Sequence, residues 1–292
     1  MGTVIKSVSF AKSGLSRGML NLSKRSAGVC LKRAGLDISK IGLLINTSLY
    51  TENHLSEPAL AAMILNKLQA GTTPDKIIST GKGRVFSFDL HNGGGGIINA
   101  IQIIDGFIQS EEIENGLIVS GDSKPADSIE GNYIYPDGTG SILLSHDDGI
   151  AGFTAFFSAT FPEFSDDFRS IIEWGTGKFK FEISRSRDYL RNCVECAYSS
   201  VNKFLRNENL SYEDIDLVFT SRSPAELARD LQKNSALGDK IVINGNDEFY
   251  SSGFISSLTK LFYNSKFKAA KYILFVSVGA GITVSLALYK NR

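Results

Sequence analysis

The chain has 292 residues, 42 % of them hydrophobic, with 31 basic and 31 acidic side chains and a formal net charge of zero. That balance excludes a general electrostatic pull toward nucleic acid or anionic membrane, and the apolar content suffices for a large core, built as one domain or as two fused halves. Three cysteines are too few for a disulfide framework, no apolar run reaches the roughly 18 residues of a membrane helix, and the N-terminus MGTVIKSVSFAKSG lacks the apolar block of a signal peptide. A cytoplasmic protein is expected.

In chain order, Leu20 to Leu31 reads as a helix. The stretch AGLDISKIGLLINTS then gives a brief turn capped by Asp37 and an apolar strand ending at Thr47-Ser48. Glu57 to Leu68 reads as a second helix. The segment FSFDLHNGGGGIINA, from Phe86 to Ala100, drives a strand into four glycines and then into a helix. That helix places Ile97, Ala100, Ile101, Ile104 and Ile108 on a continuous apolar face, as expected of a helix buried between sheets. Strands follow at ENGLIVSGD and DGTGSILLS. The aromatic-rich GFTAFFSATFPEFSDDFRSIIEWG is less regular and is expected to bridge two halves, lining a groove or covering a dimer edge. A long amphipathic helix covers Arg187 to Leu205. NLSYEDIDLVFTS then repeats the turn-and-strand pattern with Ser211 as cap, and AKYILFVSVG and GAGITVSLALY end the chain as two strands.

The second half echoes the first in order: LKRAGLDISKIGLLINTS with FLRNENLSYEDIDLVFTS, ENGLIVSGD with AKYILFVSVG, DGTGSILLS with GAGITVSLALY. A duplicated α/β fold is expected, with halves at residues 1–160 and 161–292.

Four glycines before a helix cost roughly 1 kcal/mol per helix-interior position relative to alanine, so they imply a geometric reason. A tight turn at positive φ, a close approach between layers, and an anion or oxyanion site at the helix N-terminus all fit. No Gly-Lys-Ser/Thr follows Gly96, so this is not a phosphate loop, and the dinucleotide fingerprint is not met either. No metal-ligand motif is present, and neither metal nor cofactor is expected.

The order and spacing of AGLDISKIGLLINTS, FDLHNGGGGIINAIQ, NGLIVSGD, YPDGTGSILLS, NLSYEDIDLVFTS and FVSVGAGITVSLALY resemble the thiolase superfamily, and within it the ketoacyl-acyl-carrier-protein synthase III group. The resemblance spans Ala27 to Tyr289 and implies a five-layered α-β-α-β-α fold of two duplicated halves. The family's N-terminal segment is cut to a few residues here (FAKSGLSRGM). Its pattern of Asp, four residues, Cys, any residue, Gly, laid on Asp89, puts the nucleophile at Gly94. Its histidine falls at Ser221 in TSRSP, and its asparagine at about Ser251 in FYSSG. The resemblance thus implies an active site stripped of its nucleophile, histidine and asparagine. Backbone N–H groups near Gly94 are candidates for a surviving partial oxyanion hole.

Other residues offer little replacement. Cys30 reads as buried filler, and Cys193 and Cys196 sit mid-helix, unlike a redox C-x-x-C at a helix start. His91, two residues past Asp89, is a relic, a hydrogen-bonding residue, or a base in altered chemistry. His54 and His146 read as loop or edge residues, and Asp122, Asp137 and Asp216 as turn caps. The leading expectation is a non-catalytic synthase III-like subunit that pairs with a catalytic homologue in a condensing or acyl-transfer complex, with an acyl-carrier protein or acyl-CoA at the partner's site. The alternatives are a divergent acyltransferase using His91, Ser221, Ser251 or Ser252, and a homodimeric acyl-group binding protein.

Overall fold

A computed structural model of the chain describes residues 2–14, 18–51, 57–69, 85–124, 130–131, 135–175, 177–221, 226–234, 236–243 and 249–291. Its strands form two principal sheets. The first runs in the order β1 (Gly2–Lys12), β6 (Gly138–Asp147), β4 (Asn115–Asp122), β2 (Leu43–Asn46) and β3 (Phe86–Asp89). The second runs in the order β7 (Gly152–Thr160), β12 (Thr283–Lys290), β11 (Tyr272–Gly279) and β10 (Leu217–Thr220).

The two sheets are built alike. In each, the first strand pairs antiparallel with the last, the last antiparallel with the one before it, and that one parallel with the second strand of its sheet, β2 or β10. The place of β3 is taken in the second sheet by one parallel bridge, Val218 to Ile241. Even a bulge is repeated. β1 inserts Lys6 opposite Leu143 and Leu144, and β7 inserts Thr154 opposite Leu288 and Tyr289, the matching ladder positions. The duplication expected from the sequence is therefore present at the level of ladder register.

Side-chain alternation along the strands sorts the core into three apolar layers. Outside the first sheet, Leu44, Leu117, Val119 and Leu143 meet α1 (Met19–Ala34) and α2 (Leu60–Gln69). Between the sheets, Leu43, Ile45 and Ile142 from one side and Leu217, Phe219 and Phe275 from the other enclose α3 (Gly96–Gln109) and α6 (Gly253–Leu261). Outside the second sheet, Val218, Leu274, Val276 and Leu286 meet α4 (Tyr189–Asn207) and α5 (Leu227–Asn234). The order is α-β-α-β-α. The four isoleucines of α3 named from its apolar face are all buried, each contributing about 2 kcal/mol.

Two expectations need correction. GFTAFFSAT is not irregular: it is β7, an edge strand of the second sheet, and the last strand of the first sheet ends at Asp147. The bulge at Thr154 puts Phe153 and Phe156, three residues apart, against the same central layer, which erases the period of two. The segment after it forms a hairpin, β8 (Phe168–Gly175) with β9 (Lys178–Arg185), joined by β5 (Glu130–Gly131). Of the expected caps, Asp37 accepts from the Ser39 N–H at 2.8 Å, whereas Ser211 itself donates to Asp214. No helix among the described residues is long and apolar enough to cross a membrane.

Candidate functional site

The loop after β3 enters the glycine turn, Gly93–Gly95, which feeds directly into α3. Asp89 fixes the start of this loop. Its carboxylate accepts from the Leu60 and Ala61 N–H groups at 2.7 and 2.8 Å, capping α2, and from the Asn46 side-chain amide at 3.0 Å. Across the pseudo-twofold axis the turn faces the ends of β10 and β11.

The glycines answer to close approach. A Cβ on Gly94 would lie 2.5 Å from the Val278 carbonyl oxygen and 3.6 Å from the Ser221 Cβ. Gly93 has φ +46°, and a Cβ there would lie 3.2 Å from the Tyr250 hydroxyl. Gly279 reciprocates from β11: its Cβ would lie 3.0 Å from the Asn92 carbonyl oxygen. Backbone thus meets backbone across the axis, and the Ser277 hydroxyl donates to the Gly94 carbonyl to lock the contact. Two N–H groups of the turn are already spent, Gly95 on the Asn92 carbonyl at 2.9 Å and Gly96 on the Gly93 carbonyl. They are not available to an oxyanion.

The structure brings Gly94 and Ser221 together, whereas the contacts of Ser251 are to Asp122. Neither serine is idle. The Ser221 Oγ accepts from the Val278 N–H at 3.1 Å, and the Ser221 N–H donates to the Val276 carbonyl at 3.0 Å. Ser251 donates its N–H and its hydroxyl to Asp122 at 2.7 and 2.6 Å. The other Asp122 oxygen accepts from the Leu49 and Tyr50 N–H groups at 3.2 and 3.0 Å. Burial pushes the Asp122 carboxyl above the usual Asp range, and the Ser251 hydroxyl and these N–H groups pull it back. Ser252 donates to the Gly138 carbonyl at 3.2 Å.

Around Asp122 stands an aromatic cluster that sequence reasoning missed. Tyr250 lies 5.1 Å from Tyr50 and 4.9 Å from Tyr135, ring centre to ring centre, with Phe168 stacked on it at 6.1 Å and Phe181 edge-on to Tyr50 at 5.3 Å. Burial raises the Tyr50 and Tyr250 phenols well above the ordinary tyrosine value, and the neighbouring Tyr135 and Asp122 add to both. Such a cluster resists ionisation and fills space.

The remaining candidates lie elsewhere. His91 is exposed. His146 bonds Asp148 at 3.0 Å at the end of β6. His54 and the Arg222-Ser223-Pro224 part of TSRSP fall outside the described residues. Cys193 and Cys196 are buried on α4, with burial pushing their thiols up to about 12 and about 11, and Cys30 is buried with its thiol at about 11. Reactive thiols shift the other way. Asp137 and Asp216 accept backbone N–H groups, from Lys124 and from Lys271 and Tyr272. No group of three or more His, Cys, Asp or Glu side chains among the described residues could hold a metal ion.

No family model matches the chain. The architecture, however, matches solved structures end to end. 3-Oxoacyl-[acyl-carrier-protein] synthase III of Aquifex aeolicus VF5 superposes with a TM-score of 0.79 at 17 % identity, covering 99 % of this chain and all of that one. The chain has a thiolase-like fold. Xanthomonas campestris OleA, solved with bound lauric acid and lauroyl-CoA, superposes on this thiolase-like chain with a TM-score of 0.76 at 14 % identity, covering 99 % of each. Sequence relatives agree. The beta-ketoacyl-[acyl-carrier-protein] synthase III of Rickettsia bellii is 22 % identical over 282 residues, 92 % of this chain and 83 % of that protein. Its namesake from Wolbachia pipientis of Culex pipiens is 23 % identical over 276 residues, 90 % and 81 %.

Proposed function

We propose that this chain is a synthase III-like subunit without condensing activity of its own, which pairs with a catalytic homologue in a condensing or acyl-transfer complex of fatty-acid-derived or specialised metabolism. The observation that carries this reading is at Gly94. The position that the family pattern assigns to the nucleophile has no side chain, and the Val278 carbonyl stands 2.5 Å from where one would begin. Covalent acyl transfer needs a nucleophile and a base or dipole that activates it. Here the candidate hydroxyls are occupied by Val278 and Asp122, and His91 is exposed.

The partner surface in this reading is the outer flank of β3. Among the described residues β3 pairs only with β2, ends the first sheet, and carries Phe86, 56 % exposed and 5.4 Å from Phe88. An unpaired apolar edge is a template for another strand.

The test is co-expression with a homologue that keeps Cys, His and Asn, followed by size-exclusion chromatography with light scattering. A stable heteromer, a changed rate or product for the homologue, and no mass gain on this chain after exposure to an acyl thioester are expected. If this chain takes up an acyl group and turns it over with a malonyl thioester, it is an altered acyltransferase. If it neither binds the homologue nor changes its output, the subunit reading fails.

A further inference from the structure

Neither the fold nor the central site accounts for the outer face of α1. Its sequence, MLNLSKRSAGVCLKRA, carries Lys24, Arg25, Lys32 and Arg33 and no acidic residue, in a chain of zero net charge. Arg33 is employed within the chain, donating to the Val8 carbonyl at 2.8 Å and lying over the Tyr263 ring at 4.9 Å. Lys24, Arg25 and Lys32 are exposed and enter none of the ion pairs among the described residues. Helical spacing sets them around Gly28 on one face. Two open depressions, of about 580 and 450 Å³, share Lys24, Gly28 and Lys32.

Among the described residues nothing requires a glycine at position 28. It lies mid-helix, and a Cβ there would meet nothing within 4 Å. Alanine would fit and would strengthen the helix. A glycine kept there leaves a gap in the outer face, floored on one side by the half-buried Leu36 and Leu68.

We infer that this face docks an acidic amphipathic helix of a partner protein. That helix crosses α1 at Gly28, where the missing side chain lets the two backbones approach. Its apolar stripe rests on Leu36 and Leu68, and its carboxylates meet Lys24, Arg25 and Lys32. Asp37 closes the basic stretch at one end. From Lys24 to Lys32 the stretch is about 12 Å long at a helical rise of 1.5 Å per residue, enough for a crossing helix and short for a nucleic-acid backbone. The chain's zero net charge gives a duplex or an anionic bilayer no added attraction. The docking is independent of pairing at β3.

The test titrates the full chain, at low ionic strength, against a fluorescein-labelled helical peptide of repeated Leu-Glu-Glu-Leu-Glu-Ala-Glu, and in parallel against phosphatidylglycerol vesicles and a DNA duplex. Saturable binding of the peptide is expected, weakened by salt. Lys24→Glu with Lys32→Glu should weaken it about tenfold, since exposed pairs are individually modest but reversal turns attraction into repulsion. Gly28→Leu should weaken it while leaving the melting temperature unchanged or raised, and Gly106→Ala on α3 should leave it unchanged. The proposal is overturned if the peptide does not bind, if the charge reversals and Gly28→Leu bind it as the parent does, or if vesicles or duplex bind in preference.

Discussion

Gly94→Cys restores the side chain that the family pattern places at the start of α3, and the structure predicts that it costs stability without yielding a thioester. The backbone at Gly94 is not in the left-handed region, so the penalty is steric and not conformational. Ordinary van der Waals contact begins at 3.4 Å and the new Cβ would stand 2.5 Å from the Val278 oxygen, so the turn or β11 must give by about 0.9 Å. Both are backbone, and the Ser277 hydroxyl bond to the Gly94 carbonyl joins them. Overpacking of this kind costs about 1–3 kcal/mol, and the strained hydrogen bond about 1 more. At about 2–4 °C per kcal/mol, the melting temperature should fall by about 4–16 °C. Thermal unfolding followed by circular dichroism reads the first effect. Intact-mass measurement after exposure to an acyl thioester reads the second, and no adduct at position 94 is expected. A variant that melts within about 1 °C of the parent and carries a stoichiometric acyl group would refute the reasoning, because it would mean that β11 yields freely and the site is open.

Gly106→Ala, where a Cβ meets nothing within 4 Å in α3, should raise stability by about 1 kcal/mol in the same thermal assay. Asp122 has its folded-state pKa raised by burial, so the folded state holds its proton more tightly than the unfolded chain. Its contribution is full below about pH 4 and is lost as pH rises through the raised value. Asp122→Asn should therefore flatten stability against pH above about 4, while costing about 1–3 kcal/mol overall because an amide N–H₂ would face the Ser251 N–H, and urea titrations at stepped pH measure both effects. The three cysteines, buried with raised thiol pKa values, should resist an aromatic disulfide reagent at pH 8 and react fully only in denaturant; fast labelling of Cys193 or Cys196 in the native protein would contradict the burial described.

Much of the fold was legible because most strands and helices of the core carry their own periodicity and recur in the same order, although β1, α5 and α6 were not read from the sequence. Leu43 and Leu217 begin matching strands, and the isoleucines of α3 state its burial outright. Ladder register refines one match: Thr47 corresponds to Ser221, one residue off a pairing of the two Thr-Ser dipeptides. β7 escaped because a bulge breaks alternation. At the site, the proximity of Gly94 and Ser221 followed from the family pattern, but what surrounds them did not. Asp122 meets Ser251 across 129 residues of sequence, and Ser277 meets Gly94 across 183. Tyr50, Tyr135 and Tyr250 converge from three loops whose local sequences carry no mark of one another. Contacts of that range are set by the fold and leave no periodic trace.

Duplication gives a protein two copies of every sheet margin, and two equivalent margins would permit endless end-to-end addition. This chain keeps the copies unequal. One ends in a four-residue strand with Phe86 at its rim, and the other, among the described residues, in a single bridge at Ile241, itself buried. In the pairing proposed above, one open margin and one blunted margin would admit a single neighbour and stop growth at a pair, through an asymmetry inside each chain.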